Sequence, residues 1–213
     1  MRYERKYKVE GLDRPALEQL ILVHPAAFEK AFPDRQINNV YWDTLNWDNA
    51  QDSINGVSMR TKIRVRWYGA IEDLIKNPVL EIKSRSNQQG GKTLEQLPDC
   101  TWQQLQTLVG ERLQQWFPEK TYQAALVNTY HRAYYLSWDG RFRLTLDREM
   151  AYGACLPWRF ATPFEDSGVV VELKYDAAED ATADEIAAYL ALRMTKHSKY
   201  TRGISFVFNA AVY

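Results

Sequence analysis

The sequence predicts an α+β fold in which an antiparallel β-barrel forming a tunnel with a polar interior is flanked by helices. Three observations lead there. The stretch RTKIRVRWYG, Arg60 to Gly69, sets Arg60, Lys62, Arg64 and Arg66 at alternate positions, with Thr61, Ile63, Val65 and Trp67 between them. Side chains at i, i+2 and i+4 of a strand share a face, so this stretch reads as a strand with one cationic and one mostly apolar side. Other strand-like segments repeat the pattern, carrying Arg2/Glu4/Lys6, Glu81/Lys83, Arg143/Thr145/Asp147 and Glu172/Lys174 on one face each. Segments with helical spacing of apolar residues lie between them.

In chain order, RYERKYKV is the first strand, alternating Arg2, Glu4, Lys6 and Lys8 with Tyr3, Arg5, Tyr7 and Val9. A helix follows in GLDRPALEQLILVHPAAFEKAF, with Asp13 as cap, Pro15 in its first turn and Pro25 interrupting or ending it. QINNVYWDT reads as a strand and LNWDNAQDSING as turns. After the Arg60 strand comes PVLEIKSR, then SNQQGGK, whose glycine pair and polar residues read as a mobile loop. TWQQLQTLVGERLQQWF has helical spacing, and LVNTYHRAYYLSW and RFRLTLDREMAYG flank Asp139-Gly140, a two-residue hairpin turn. GVVVELKYD is the last strand, TADEIAAYLALRM a helix, and KHSKYTRGISF closes the series.

Length and composition bound the reading. With 213 residues, 46% hydrophobic and 25% charged, the chain is expected to form a single domain over residues 1–213. Lys plus Arg equals Asp plus Glu at 27 each, so the overall cationic excess of a non-specific nucleic-acid coat is missing and any basic site is local. Cys100 and Cys155 are too few and too far apart for a disulfide framework or a C-x-x-C metal knuckle. MRYERKYKVE has no apolar core of a signal peptide, and no segment approaches the roughly 18 consecutive apolar residues of a membrane span. A cytoplasmic protein with no direct membrane insertion is the expectation. The aromatic residues read as core and sheet packing; they form no RNP pattern, and no nucleic-acid partner is expected.

Unbroken positive charge repels itself and persists where an anion compensates it. A lumen rich in Arg and Lys suits a polyanion, because guanidinium groups grip phosphate oxygens in pairs and lysines act as point charges. A few carboxylates in the same lumen would repel such a ligand unless they hold a divalent metal.

Taken in order, RYERKY, VYWDT, IRVRWYG, LEIKSR, HRAYY, RLTLDRE, VELKYD and HSKYTRGI resemble the triphosphate tunnel metalloenzymes, the CYTH superfamily, and within it the VTC, or polyphosphate-polymerase, domain. IRVRWYG and SKYTRG carry the VTC likeness. The resemblance implies a triphosphate tunnel fold in which Lys6, Arg64, Arg66, Lys83, Arg132, Arg143 and Lys199 bind the phosphate chain and Glu172 holds Mn2+ or Mg2+. It implies an ATP-polyphosphate phosphotransferase that adds the γ-phosphate of ATP to a growing polyphosphate chain, and it is compatible with a membrane-protein partner. A tripolyphosphate or nucleoside-triphosphate hydrolase, or a polyphosphate- or inositol-phosphate-binding module, is the alternative.

Tunnel hydrolases of the family begin with E-x-E-x-K, whereas this chain has Arg2-x-Glu4-x-Lys6. A cation thus replaces the first carboxylate, which weakens a water-activating metal site and leaves Glu4 as a second metal ligand. Glu81 and Asp147 read equally as tunnel-facing groups or as ion-pair partners of neighbouring Lys83 or Arg143. Arg60 and Lys62 read as rim residues that steer anions inward, Asp43 as a turn or strand-end residue, and Tyr200 as packing beside the tunnel. His24, His131 and His197 are scattered and take no catalytic role.

Overall fold

The computed structural model describes residues 2–86, 89–156 and 162–211. The fold is α+β. Its strands are β1 (Arg2–Val9), β2 (Glu29–Thr44), β3 (Arg60–Tyr68), β4 (Leu74–Ile75), β5 (Val79–Ser86), β6 (Gln89–Gln96), β7 (Cys100–Thr101), β8 (Tyr122–Leu136), β9 (Arg143–Ala154), β10 (Phe164–Asp166) and β11 (Val169–Asp176). The helices are α1 (Arg14–Leu22), α2 (Asp48–Ile54), α3 (Trp102–Trp116), α4 (Asp180–Leu190) and α5 (Lys199–Ala211). Among the described residues the main sheet runs β1-β11-β9-β8-β2-β3-β5-β6, with β10 on β9, and β4 pairs with β7. The pairs β1–β11, β11–β9, β2–β3, β3–β5 and β5–β6 are antiparallel. No helix among the described residues is long and apolar enough to cross a membrane.

The chain divides into two compact units. The first comprises Met1–Arg35, Tyr130–Met150 and Asp166–His197. Its core gathers Tyr7, Leu17, Ile21, Leu144, Leu146, Val171, Leu173 and Ile186. Alternation explains this: β11 turns Val169, Val171, Leu173 and Tyr175 to the core and leaves Glu172 and Lys174 on the other face. Leu17 and Ile21, one helical turn apart, are the buried side of α1, whose Asp13 cap accepts from the Ala16 amide at 2.9 Å. Arg5 fastens α4, donating to Asp184 at 2.6 Å, Asp180 at 2.8 Å and the Tyr175 hydroxyl at 2.6 Å.

The second unit comprises Gln36–Thr129, Ala151–Glu165 and Ser198–Tyr213. Ile63, Val65 and Trp67 of β3 pack with Val40, Trp42, Leu80, Ile82 and the buried side of α3, Leu105, Val109 and Leu113. α3 begins in a capping box: the Thr101 hydroxyl accepts from the Gln104 amide, and the Gln104 side chain accepts from the Thr101 amide at 2.8 Å.

Several boundaries differ from the sequence reading. α1 ends at Leu22 with Val23 as its cap, so Pro25 lies beyond the helix. EKAF belongs to β2, which starts at Glu29 and carries Pro33 in its exposed first half. The turn-rich LNWDNAQDSING contains α2, a two-turn helix. Most of SNQQGGK is strand rather than mobile loop: Gln89 to Lys92 open β6, paired with β5 from Ser86↔Gln89 onward, while Asn87 and Gln88 lie outside the described residues. A Cβ at Gly91 would lie 2.8 Å from Ser84 Oγ on β5, a contact that rotation of this exposed hydroxyl would relieve. Asp139-Gly140 is not a two-residue hairpin, because β8 stops at Leu136 and β9 starts at Arg143. Residues 137–142 close on themselves through Ser137 and Phe142, which exchange hydrogen bonds at 3.0 Å, and Gly140 donates to the Ser137 carbonyl at 2.8 Å.

Gly203 is the tightest point of α5. A Cβ there would lie 2.5 Å from Leu126 Cδ2 and 2.6 Å from Tyr152 Cδ1. Gly203→Ala gains about 1 kcal/mol of helix propensity but overpacks a filled core. The expected net result is a loss of about 1–2 kcal/mol, read from the urea midpoint; a midpoint at or above that of the unmodified protein would contradict it.

Candidate functional site

In the second unit the cations of β3 stand on the face opposite its core residues. Register brings Arg60 against Arg85, Lys62 against Lys83 and Arg64 against Glu81 on β5, and Lys83 against Lys92 on β6. Lys62, Lys83 and Lys92 therefore lie abreast on three neighbouring strands. Like charges directly opposite one another repel across a sheet, and the row concentrates positive charge on this face.

The carboxylate set among these cations is Glu81, which is buried. Arg64 donates to its Oε2 from Nε at 3.0 Å and from Nη2 at 2.6 Å. Arg66 Nη1 and Lys92 Nζ each stand 3.7 Å from its carboxylate oxygens. Burial pushes the Glu81 carboxyl up, but the charges of Arg64 and Arg66 outweigh burial and hold it below its ordinary value. Arg66 is oriented from behind: its Nε donates to Asn39 Oδ1 at 3.0 Å, and Asn39 Nδ2 donates to Asn128 Oδ1 at 2.9 Å. Both asparagines are wholly buried, which makes this relay a rigid backing. Lys62 Nζ donates to Ser198 Oγ at 3.1 Å, next to Lys199, the first residue of α5.

In the first unit, Lys6 lies opposite Glu172 and Glu4 opposite Lys174 across β1–β11. Glu172 also faces Thr145, and Lys174 faces Arg143, across β11–β9. Glu172 is buried, with Lys174 Nζ 2.9 Å from one oxygen and Arg132 Nη2 3.8 Å from the other. Glu4 is exposed, with Lys6 Nζ at 2.9 Å and Lys174 Nζ at 3.9 Å. Burial pushes the Glu172 carboxyl up; Lys174 and Lys6 outweigh it and hold the group well below the usual carboxylate range. Arg132 is buried and gives Nε and Nη2 to the two oxygens of Asp147 at 2.5 and 2.7 Å, a forked pair. Burial disfavours its charge, but Asp147 more than compensates and raises its pKa well above the ordinary value.

The seven basic residues and two glutamates read from the sequence thus fall into two groups. Lys6, Arg132, Arg143, Glu4 and Glu172 gather in the first unit; Arg64, Arg66, Lys83 and Lys199 belong to the second. Arg143 and Lys83 are exposed, Lys6, Arg64, Arg66 and Lys199 half-buried. Both ambiguous carboxylates are ion-paired, but with different partners from those expected: Glu81 binds Arg64 rather than Lys83, and Asp147 binds Arg132 rather than Arg143. Cross-strand register decided the first, and Arg132 reaches Asp147 from β8, the neighbour of β9. Sequence reasoning missed Lys92, because it lay in a presumed loop, and the backing asparagines Asn39 and Asn128.

Among the described residues no three His, Cys, Asp or Glu side chains gather as a metal cluster. Glu4 and Glu172, on adjacent strands and both within 4 Å of Lys174 Nζ, supply two oxygen-donor carboxylates. That donor set fits Mg2+ or Mn2+, which take one or two protein carboxylates and complete their shell with water and substrate phosphates.

The depressed carboxyl of Glu172 fixes the sign of a pH effect. A carboxylate whose pKa is lower folded than unfolded contributes stability above its unfolded value, about 4.3, and loses it as pH falls through the folded value. Glu172→Gln is expected to cost about 1.5–3 kcal/mol at neutral pH. In urea melts, its deficit against the unmodified protein should hold level from pH 8 to about 5 and narrow below about 4; a deficit that grows on acidification would be the wrong sign.

Comparison with known proteins agrees with this geometry at the level of fold and family. The VTC domain matches residues 1–208. A search of curated proteins gives no match. Among solved structures, the chain is similar to a Vibrio parahaemolyticus protein provisionally named an adenylate cyclase, at 16% identity over 96% of this chain and 97% of that one, with a TM-score of 0.57. It is similar to a Bacillus halodurans protein under the same provisional name, at 15% identity over 93% and 94%, with a TM-score of 0.58. A Pyrococcus horikoshii protein aligns at 11% identity over 99% of each chain, with a TM-score of 0.57. At these identities the likeness is one of fold. With the family match spanning nearly its whole length, over strands whose charged faces are now located, this chain belongs to the VTC domain family.

Proposed function

We propose that the chain is a metal-dependent polyphosphate polymerase of the CYTH, or triphosphate tunnel metalloenzyme, superfamily. In this reading the terminal phosphate oxygen of a polyphosphate chain attacks the γ-phosphorus of ATP, the bond to the β-phosphate oxygen breaks, and its electron pair leaves with ADP. The observation that carries it is the lysine row: Lys62, Lys83 and Lys92 lie abreast, with Arg64 and Arg66 alongside, around a single embedded carboxylate. Family membership adds to it.

Little covalent chemistry falls to the protein in phosphoryl transfer; alignment and charge neutralisation do the work. Arg64 and Arg66 are held by Glu81 and Asn39, so their forks are oriented before a ligand arrives. In the second unit Lys83 and Lys199 act as point charges toward phosphate; in the first, Lys6 does the same and Arg143 offers a guanidinium fork. Arg132, locked on Asp147, keeps positive charge beside Glu172 without needing to move. Glu172, with Glu4, is the proposed seat of Mn2+ or Mg2+, which when bound neutralises charge on the phosphoryl oxygens.

The test is incubation of the purified protein with ATP and Mn2+. ADP, orthophosphate and chain length are read separately, and cyclic AMP is added because two fold neighbours carry the adenylate cyclase name. ADP with chain growth is expected, lost in Glu172→Ala. Orthophosphate without chain growth would favour the hydrolase, and binding without turnover the phosphate-binding module. Arg64→Ala with Arg66→Ala should weaken polyphosphate binding by about a hundredfold; an unchanged affinity would remove the β3 face from the ligand path.

A further inference from the structure

Asp43, at the end of β2, has no exposed surface. Its Oδ1 accepts from the Thr44 amide at 2.8 Å and the Asn49 amide at 2.9 Å, and its Oδ2 accepts from the Ala50 amide at 2.9 Å. The Tyr200 hydroxyl of α5 donates to the same Oδ2. Among the described residues no cation pairs with this carboxylate. A buried charge without a counter-charge is tolerable only when hydrogen-bond donors fill its lone pairs, so each of these donors matters. Three are amides of the last residue of β2 and of the first turn of α2, and form with the local fold. The fourth arrives from a residue 157 positions away and has to be delivered by the placement of α5.

Tyr200 is itself buried and stacks on Tyr41, with ring centroids 4.7 Å apart and planes at 22°. Burial and the charge of Asp43 push its phenol far above the ordinary value, so it remains a donor at any working pH. On the other side of Lys199, Ser198 accepts from Lys62 and opens the helix: Thr201 donates to its Oγ at 3.4 Å, and the Arg202 amide to its carbonyl at 2.9 Å. Lys199 is thus flanked by one residue tied to the cationic row of β3 and one tied to a buried charge. The Tyr200 tie is not explained by packing alone, because a phenylalanine would fill its space without satisfying Asp43.

We infer that the Asp43–Tyr200 pair is a lock that sets Lys199 beside the cationic row of β3, making Tyr200 and Asp43 positioning residues for the proposed phosphate site. The inference rests on that reading of the site. It assigns Asp43 a role beyond ending a strand, and Tyr200 one beyond packing.

A double-mutant cycle on the full chain tests it, with inorganic tripolyphosphate as the probe and affinity measured calorimetrically at fixed salt. Tyr200→Phe and Lys199→Ala should each weaken binding by about tenfold, or about 1.4 kcal/mol. The double variant should be no weaker than Lys199→Ala, since no lysine is left to misplace. Losses that multiply in the double variant would overturn the lock. Without ligand, amide hydrogen exchange over residues 199–203 should quicken in Tyr200→Phe while α3 is unchanged; exchange as slow as in the unmodified protein would also overturn it. If the unmodified protein fails to bind tripolyphosphate, the phosphate reading falls, and the exchange measurement still decides whether the lock exists.

Discussion

A guanidinium buried against a carboxylate, as Arg132 is against Asp147 at 2.5 and 2.7 Å, can neither be hydrated nor lose its partner cheaply. The sheet depends on this kind of pairing. Its charged faces gather cations, and the pairings at Asp147, Glu172 and Glu81 partly neutralise them. Each carboxylate is buried, and each is flanked by more than one cation or, for Asp147, gripped in a fork. The excess positive charge is thus retained, but with fixed direction. Arg132 and Arg64 are held in direction by the carboxylates they grip, and Lys174 and Lys92 stand against the same buried acids from the side.

The two units solve the same electrostatic problem with different materials. In the first, the buried acid Glu172 is crossed by β1, β9 and β11, so three strands must keep register for Lys6, Thr145 and Lys174 to meet it. In the second, Glu81 is met by Arg64 across one strand pair, and Arg66 is held by the Asn39 amide as well as by Glu81. Arg66 is thus held by a neutral amide at Nε while its Nη1 stands 3.7 Å from the Glu81 carboxylate it shares with Arg64.

The alternation of β1, β3, β5 and β11 was legible because a strand buried on one face writes its orientation in every second residue. Which acid meets which base was not, because register is a property of two strands. Sequence neighbours suggested Lys83 for Glu81 and Arg143 for Asp147, and the sheet supplied Arg64 and Arg132. β6 was hidden by glycines that look like a loop in one dimension and lie in a paired strand in three. With it went Lys92. α2 was hidden for another reason: it starts after Trp47 at φ 60°, without a side-chain cap from that residue, and its first amides are held by Asp43 from the end of β2. The candidate site was legible as a set of residue types and illegible as a set of pairs.

At the lysine row across β3, β5 and β6, dissolved salt has two opposite effects, while at the buried Arg132–Asp147 pair it has almost none. Lys83 and Lys92 are exposed, so their mutual repulsion and that of Lys62 is within reach of an ionic atmosphere with a screening length of about 10 Å at 0.1 M. Raising ionic strength relieves that strand edge while weakening its hold on any multivalent anion. The Arg132–Asp147 pair, shielded from solvent, is nearly indifferent to the same change. Under the proposed phosphate reading, the ions that steady the free sheet would be the same ones that compete with a bound polyanion.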